Sequence, residues 1–190
     1  MKRRKALQLT ATYFGGAILG SEIFLSRCKQ PEKNARLFSE KDILLMDEIG
    51  ETILPDSERS PGAKAAGIGM FMQTIVTDCY DEKDTAIFIT GLREVEAVAQ
   101  KKYGAGFTKL SSQQRFDLLS EYDKAARQEE GNATQHFFTM LKQLTIWGYF
   151  TSEVGQTKAL RYNPVPGSFN GNTDYKPGDR AWVGPLCSID

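Results

Sequence analysis

Thr134-Gln135-His136-Phe137-Phe138-Thr139-Met140-Leu141-Lys142-Gln143-Leu144-Thr145-Ile146-Trp147-Gly148-Tyr149-Phe150 is the stretch that decides the fold. Phe137, Phe138, Leu141, Leu144, Ile146 and Trp147 make this predicted helix apolar almost all round. Such a helix is either central in its domain or covered by a partner. Its single histidine, His136, is the only one in the chain. Followed by two phenylalanines, it reads as structural rather than as a metal ligand.

Upstream, Gly131-Asn132 breaks the pattern. Before it, Ser111 and Gln114 form a capping box for a helix with Phe116, Leu119, Tyr122 and Ala126 facing inward. An earlier helix runs from about Thr85 to Tyr103, with Phe88, Leu92, Val95 and Ala99 at helical spacing. Gly104 stands where a left-handed C-terminal cap belongs. Asp81 to Asp84 reads as a charged break. Gly62-Ala63 opens a further helix carrying Ile68, Phe71, Met72, Ile75, Val76 and Cys79. Asp56 to Pro61 is a polar loop. The first helix starts at Ser39, with Asp42 completing a weaker capping box, and presents Ile43, Met46, Ile49 and Ile53 on one face. Pro55 ends it, because proline disfavours the helical state in the residue before it. The pattern predicts an all-α fold: a compact domain of about five helices over residues 39–156, preceded by a linker at 29–38.

Downstream, from Thr157 to residue 190, the periodicity stops. Pro164, Pro166, Pro177 and Pro185 alternate with Tyr162, Gly167, Phe169, Gly171, Tyr175, Gly178, Trp182 and Gly184. Proline removes backbone donors and fixes dihedrals, so the stretch suits neither the interior of a sheet nor a helix. A free tail is usually poorer in large aromatics. This irregular tail therefore packs on something, either its own helices or another protein. The expected partner interface combines the outer side of the apolar helix (Phe137, Phe138, Trp147, Tyr149) with Tyr162, Pro164, Pro166, Phe169, Tyr175 and Trp182.

Residues 1–28 read as an export signal. Lys2-Arg3-Arg4-Lys5 is a positive segment, and a weakly apolar, small-residue run follows it. The run is interrupted and short for a transmembrane helix, which needs about 20 mainly apolar residues. Arg3-Arg4-Lys5-Ala6-Leu7-Gln8 looks like a twin-arginine signal, with alanine in place of the usual aromatic residue. An ordinary secretory signal is the other reading. Leu25-Ser26-Arg27-Cys28 resembles a lipoprotein cleavage box, although arginine is unusual before the cysteine. Cys28 is thus a lipidation candidate, with an uncleaved anchor or an unrelated cysteine as alternatives.

The charge balance excludes one large class of partner. The chain carries 24 basic and 24 acidic residues, and no basic excess points to nucleic acid. A cut before Cys28 leaves 19 basic and 23 acidic residues, a net charge of −4.

Catalytic chemistry is not legible. One histidine and cysteines at 28, 79 and 187 do not give a zinc spacing. Haem and iron–sulfur cysteine motifs are absent. Gly104-Ala105-Gly106 follows no strand and has no third glycine, so it is not a dinucleotide fingerprint. Acidic pairs such as Glu94 with Glu96 and Glu129 with Glu130 read as solvated helix faces. The expectation is no catalytic residue, no metal and no cofactor in this chain. Cys79 and Cys187 could pair in an oxidising compartment; Cys79 reads equally as a buried free thiol.

Three blocks resemble the gluconate 2-dehydrogenase subunit 3 family. The first is Ile53-Leu54-Pro55-Asp56 with Ser60-Pro61-Gly62-Ala63, Ala66-Gly67 and Phe71. The second runs from His136-Phe137-Phe138 to Gly148-Tyr149-Phe150-Thr151-Ser152-Glu153-Val154-Gly155. The third is Tyr162-Asn163-Pro164-Val165-Pro166-Gly167. The resemblance spans about Leu37 to Trp182. It implies a small accessory subunit of a large FAD-dependent dehydrogenase of the glucose–methanol–choline type, which oxidises a sugar or sugar acid and commonly passes electrons to a cytochrome c. It further implies that the small subunit's signal takes a signal-less partner through the twin-arginine translocation machinery. The location is then periplasmic, or membrane-anchored through the N-terminus. An independent helical envelope lipoprotein binding a ligand or envelope component is the competing function. A stand-alone oxidoreductase is the weakest.

Overall fold

Five α-helices follow one another in the computed structural model, which describes residues 37–129, 135–165, 167, 174 and 176–183. They are α1 (Glu40–Ile53), α2 (Ile68–Cys79), α3 (Glu82–Tyr103), α4 (Ser112–Gln128) and α5 (Phe137–Thr151). The fold is all-α, as the sequence predicts. Two short 3₁₀ turns, Ala63–Ala66 and Phe107–Lys109, link the helices, and a π turn, Gly155–Ala159, follows α5.

The helix ends follow from local chemistry. Ser39 accepts a bond from the Asp42 N–H, and the Ser39 N–H donates to the Asp42 carboxylate at 2.8 Å. Ser111 and Gln114 repeat this reciprocal arrangement at α4. Each such box satisfies two backbone donors that the helix itself leaves unpaired. Helix α1 stops at Ile53, just ahead of Pro55. Gly104 closes α3 in the left-handed conformation, at φ 72°.

Three expectations are corrected. The 81–84 segment is not a break but the start of α3: the Asp81 carboxylate accepts the Asp84 N–H at 2.7 Å. Acidic residues belong there, because the helix N-terminus carries a partial positive charge. Gly62-Ala63 does not open α2 directly. A 3₁₀ turn comes first, and Gly67, at φ 65°, reverses the chain before Ile68. A side chain at Gly67 would be strained in that conformation. Phe116 points outward and is 58% exposed, while Leu118 is fully buried. The two lie about 200° apart around the helix, so one excludes the other from the core.

The apolar helix is central. Helix α5 packs against all four other helices. It buries Phe137, Phe138, Met140, Leu141, Leu144, Thr145, Gly148 and Tyr149. Around it stand Met46 and Ile49 of α1, Ile68, Met72 and Val76 of α2, Phe88 and Val95 of α3, and Leu118 of α4. Each large side chain so buried is worth about 1.5–3 kcal/mol of transfer free energy. The one buried polar group among them, Thr145, donates to the Leu141 carbonyl at 2.9 Å. His136 caps α5, its Nδ1 accepting the Phe138 N–H at 3.1 Å, so its role is structural.

One ion-pair group ties the body together. Glu48 of α1 accepts from Arg115 of α4 and from Lys64 of the first 3₁₀ turn. Partial burial pushes its carboxyl pKa up, but the Lys64 hydrogen bond and the Arg115 charge outweigh this, and the net direction is down. A depressed acid stabilises the fold above its unfolded pKa and loses that contribution as pH falls through the folded one. Glu48→Gln is therefore expected to cost about 1–3 kcal/mol at neutral pH. The difference from the parent protein should shrink below the ordinary glutamate range, about pH 4. Urea melts of both proteins at neutral pH and at pH 3 check this.

Candidate partner-binding surface

A quarter of the whole chain is charged, yet within the helical body the spans Ala65 to Thr77 and Gln143 to Ser152 hold no charged residue at all. These form most of α2 and most of α5, and the two helices lie against each other. Gly148 permits the close approach, because a Cβ there would sit 2.5 Å from Cδ1 of Phe71. Trp147 then meets Phe71 edge-to-face at 5.3 Å. The outer side of this helix pair remains open: Met70, Ile146, Trp147 and Phe150 are 56, 43, 52 and 37% exposed. An exposed apolar patch lacking charge and rich in aromatics and methionine has the composition of an interface centre.

The loop beside this face is held firmly. The Glu51 carboxylate accepts from the backbone N–H groups of Asp56 and Lys64, each at 2.9 Å. The Tyr149 hydroxyl donates to the Pro61 carbonyl at 2.5 Å. Asp47 accepts the Gly69 N–H at 2.7 Å and so fixes the first turn of α2. The blocks around Pro61-Gly62-Ala63 and Gly148-Tyr149-Phe150, distant in sequence, thus meet at one edge of the α2–α5 pair.

Beyond the π turn the chain doubles back on itself. Strands β1 (Arg161–Tyr162) and β2 (Trp182–Val183) pair in parallel, with Arg161 opposite Trp182. The Arg161 N–H donates to Ala181 O at 2.8 Å and the Asn163 N–H to Val183 O at 2.7 Å. The expected irregular tail thus carries one short strand pair, with Pro164, Pro166 and Pro177 between the two strands. The Arg180 guanidinium donates to the Lys158 carbonyl at 2.5 Å, tying β2 to the π turn. Arg161 lies 5.0 Å from the Trp182 ring and pairs with Asp179 at 3.1 Å. Tyr162, Pro164, Val165 and Trp182 are exposed.

The expected interface residues therefore divide. Trp147, Tyr162, Pro164 and Trp182 are open to solvent. Phe137, Phe138 and Tyr149 are corrected to core: they are 6, 3 and 3% exposed, because α5 turns that side toward its neighbours. Arg3, Arg4, Cys28, Pro166, Phe169, Tyr175 and Cys187 lie outside the described residues. Cys79 is a free thiol at the end of α2 and is exposed, which corrects its reading as a buried thiol. Met70, which helical spacing does not single out, and the Phe71 edge, which it places among the apolar positions of the helix, belong to the open face. The signal that could have found them is the uncharged run from Ala65 to Thr77, which is longer than one buried helix face requires.

Among the described residues no group of three or more His, Cys, Asp or Glu side chains could hold a metal ion. No helix among them is long and apolar enough to cross a membrane.

A family model described as gluconate 2-dehydrogenase subunit 3 matches residues 40–167. No curated protein and no solved structure matches the chain. The matched span contains all five helices, the Glu51-held loop and β1, and so includes the whole uncharged α2–α5 face.

Proposed function

The chain belongs to the gluconate 2-dehydrogenase subunit 3 family, and from that premise we propose that it is a non-catalytic small subunit of an exported, FAD-dependent dehydrogenase complex acting on a sugar or sugar acid. The family takes its name from one subunit of a multi-subunit dehydrogenase. The observation that carries the reading is the open, uncharged α2–α5 face with Met70, Ile146, Trp147 and Phe150. A monomer gains nothing by leaving such a patch in water; a subunit buries it.

In this reading the flavin and the substrate site belong to a large subunit of the glucose–methanol–choline type, and a cytochrome c takes the electrons. The small subunit stabilises the large one and carries the export signal for both, with Arg3 and Arg4 addressing the twin-arginine translocation machinery. Cys28 is the place for a lipid anchor. The complex then works in the periplasm or on the membrane surface.

The direct test is purification of the tagged full chain from its own cells, with an absorption spectrum of what comes with it. A yellow, FAD-containing protein in a fixed ratio is the expected result. Recovery of the chain without a flavoprotein, from cells that make the complex, overturns the proposal. Two further outcomes are expected. The isolated chain is colourless and holds no stoichiometric metal, haem or flavin, as elemental analysis and spectroscopy check. Replacing Arg3 and Arg4 by lysine leaves both proteins in the cytoplasm; a partner that still reaches the envelope sinks the escort role.

A further inference from the structure

Between α1, α4 and α5 lies an open cleft of about 480 Å³. Its apolar wall comes from Ile53, Leu119 and Phe138, with Phe116 exposed at the lip. Its polar rim holds Lys124, Arg127 and Lys142 against a single carboxylate, Asp123. Asp123 is already engaged twice. Lys142 bonds one of its oxygens and Arg127 the other, and the Lys142 hydrogen bond leads the causes that hold its pKa low. Lys124 has no ion-pair or hydrogen-bond partner among the described residues.

The rim thus carries three cations and one anion. The rest of residues 38–190 has the opposite balance, with 13 basic and 21 acidic side chains. A local positive excess on an acidic body is a steering feature for a negatively charged group. The cleft is also continuous with the open face already described. Lys142, Ile146 and Phe150 are spaced i, i+4 and i+8 on α5, so one ridge of that helix runs from the cleft into the uncharged patch. Arg127 is of a residue type that often anchors interfaces, and Phe116 of a type enriched in them.

We propose that this cleft receives an acidic side chain of the partner subunit, flanked by an apolar residue, the carboxylate meeting Lys124 and Arg127 and the apolar group lying on Phe116, Leu119 and Ile53. The proposal rests on the accessory-subunit reading and adds to it the chemistry of the partner's contact. The uncharged face supplies area, and the cleft supplies register and the rate of encounter. A rim charge acts mainly on association rate and its salt dependence.

The experiment uses the full chain and the flavoprotein that copurifies with it, recombined after separation. Lys124→Glu with Arg127→Glu is expected to slow association about tenfold at low salt and to flatten its salt dependence. Phe116→Ser, which leaves the charges in place, should speed dissociation and leave the salt slope unchanged. The surface position of both sites makes these variants foldable, and a thermal melt verifies it; were the double charge reversal to unfold the chain, Lys124→Ala alone reads the same salt slope. Unchanged association and dissociation in these variants, with binding lost in Trp147→Asp, overturns the cleft and leaves the accessory role standing. Unchanged binding in all of them, Trp147→Asp included, overturns the α2–α5 interface as well.

Discussion

Phe138→Ala should destabilise the isolated domain by about 3–5 kcal/mol, while Trp147→Asp should change its stability by about 1 kcal/mol or less yet remove the partner. The two residues sit on the same apolar helix, and hydropathy alone does not separate them. Phe138 is buried, stacked near Tyr122 at 6.3 Å and edge-on to Phe137 at 6.4 Å. Its truncation removes transfer free energy and leaves a cavity that the surrounding helices close only in part. Trp147 is half exposed, and its main contact is the edge of Phe71. An edge-to-face aromatic pair is worth about 0.5–1.5 kcal/mol, so losing it is a small perturbation. A carboxylate on that spot meets water in the free subunit at little cost. In a complex it would be buried without a counter-charge in a face that has none to offer, which costs several kcal/mol of affinity. Urea melts and copurification with the flavoprotein, done on both variants, give opposite patterns. Equal loss of stability in both would show that the face belongs to the core.

That contrast marks the limit of what the sequence carries. Three of the five helices were legible from local signals: the Ser39 box and the Pro55 stop for α1, Gly104 as the cap of α3, and the Ser111 box for α4. These depend on neighbours within four residues, and the structure keeps all of them. The start of α3 was misplaced because Asp81 to Asp84 reads as polar punctuation until one asks which group caps the next helix. The sides of α5 were a different problem. A helix apolar all round carries no phase, so the direction of Phe138 and Trp147 is set by where α1, α2, α3 and α4 lie. The loop motif Ser60-Pro61-Gly62-Ala63 was legible as a motif but not as a joint. Its bonds run to Glu51 and Tyr149, and the latter is 88 residues away. The cleft was not legible at all, since Ile53, Phe116 and Lys142 come from three helices.

Truncation after Leu160 should leave the helical body intact and abolish copurification. Among the described residues, none beyond Leu160 belongs to the hydrophobic core or packs against it; the last that does is Ala159. Among the described residues, β1 and β2 bond to each other and to the π turn, through Arg180 to the Thr157 and Lys158 carbonyls. Removing them opens hydrogen bonds that are already exposed, and water replaces those with a net loss of about 0.5–1.5 kcal/mol each at most. Helix α5 is capped independently of the tail: Ser152 donates its N–H to the Tyr149 carbonyl, and its hydroxyl accepts the Gly155 N–H at 3.0 Å. The circular dichroism per residue and the cooperativity of the melt should therefore persist. What the truncation removes is Tyr162 and Trp182, two large aromatics held out to solvent on a pinned ladder, with Pro164 and Val165 beside them. Pinning matters, because an aromatic already fixed in place loses little conformational freedom on binding. The ladder thus offers a second preformed contact alongside the α2–α5 face, and its loss should be felt as faster dissociation ending in no recovered complex. A truncated chain that unfolds would return the tail to the chain's own core. One that still copurifies in full yield would confine the interface to α2, α5 and the neighbouring cleft.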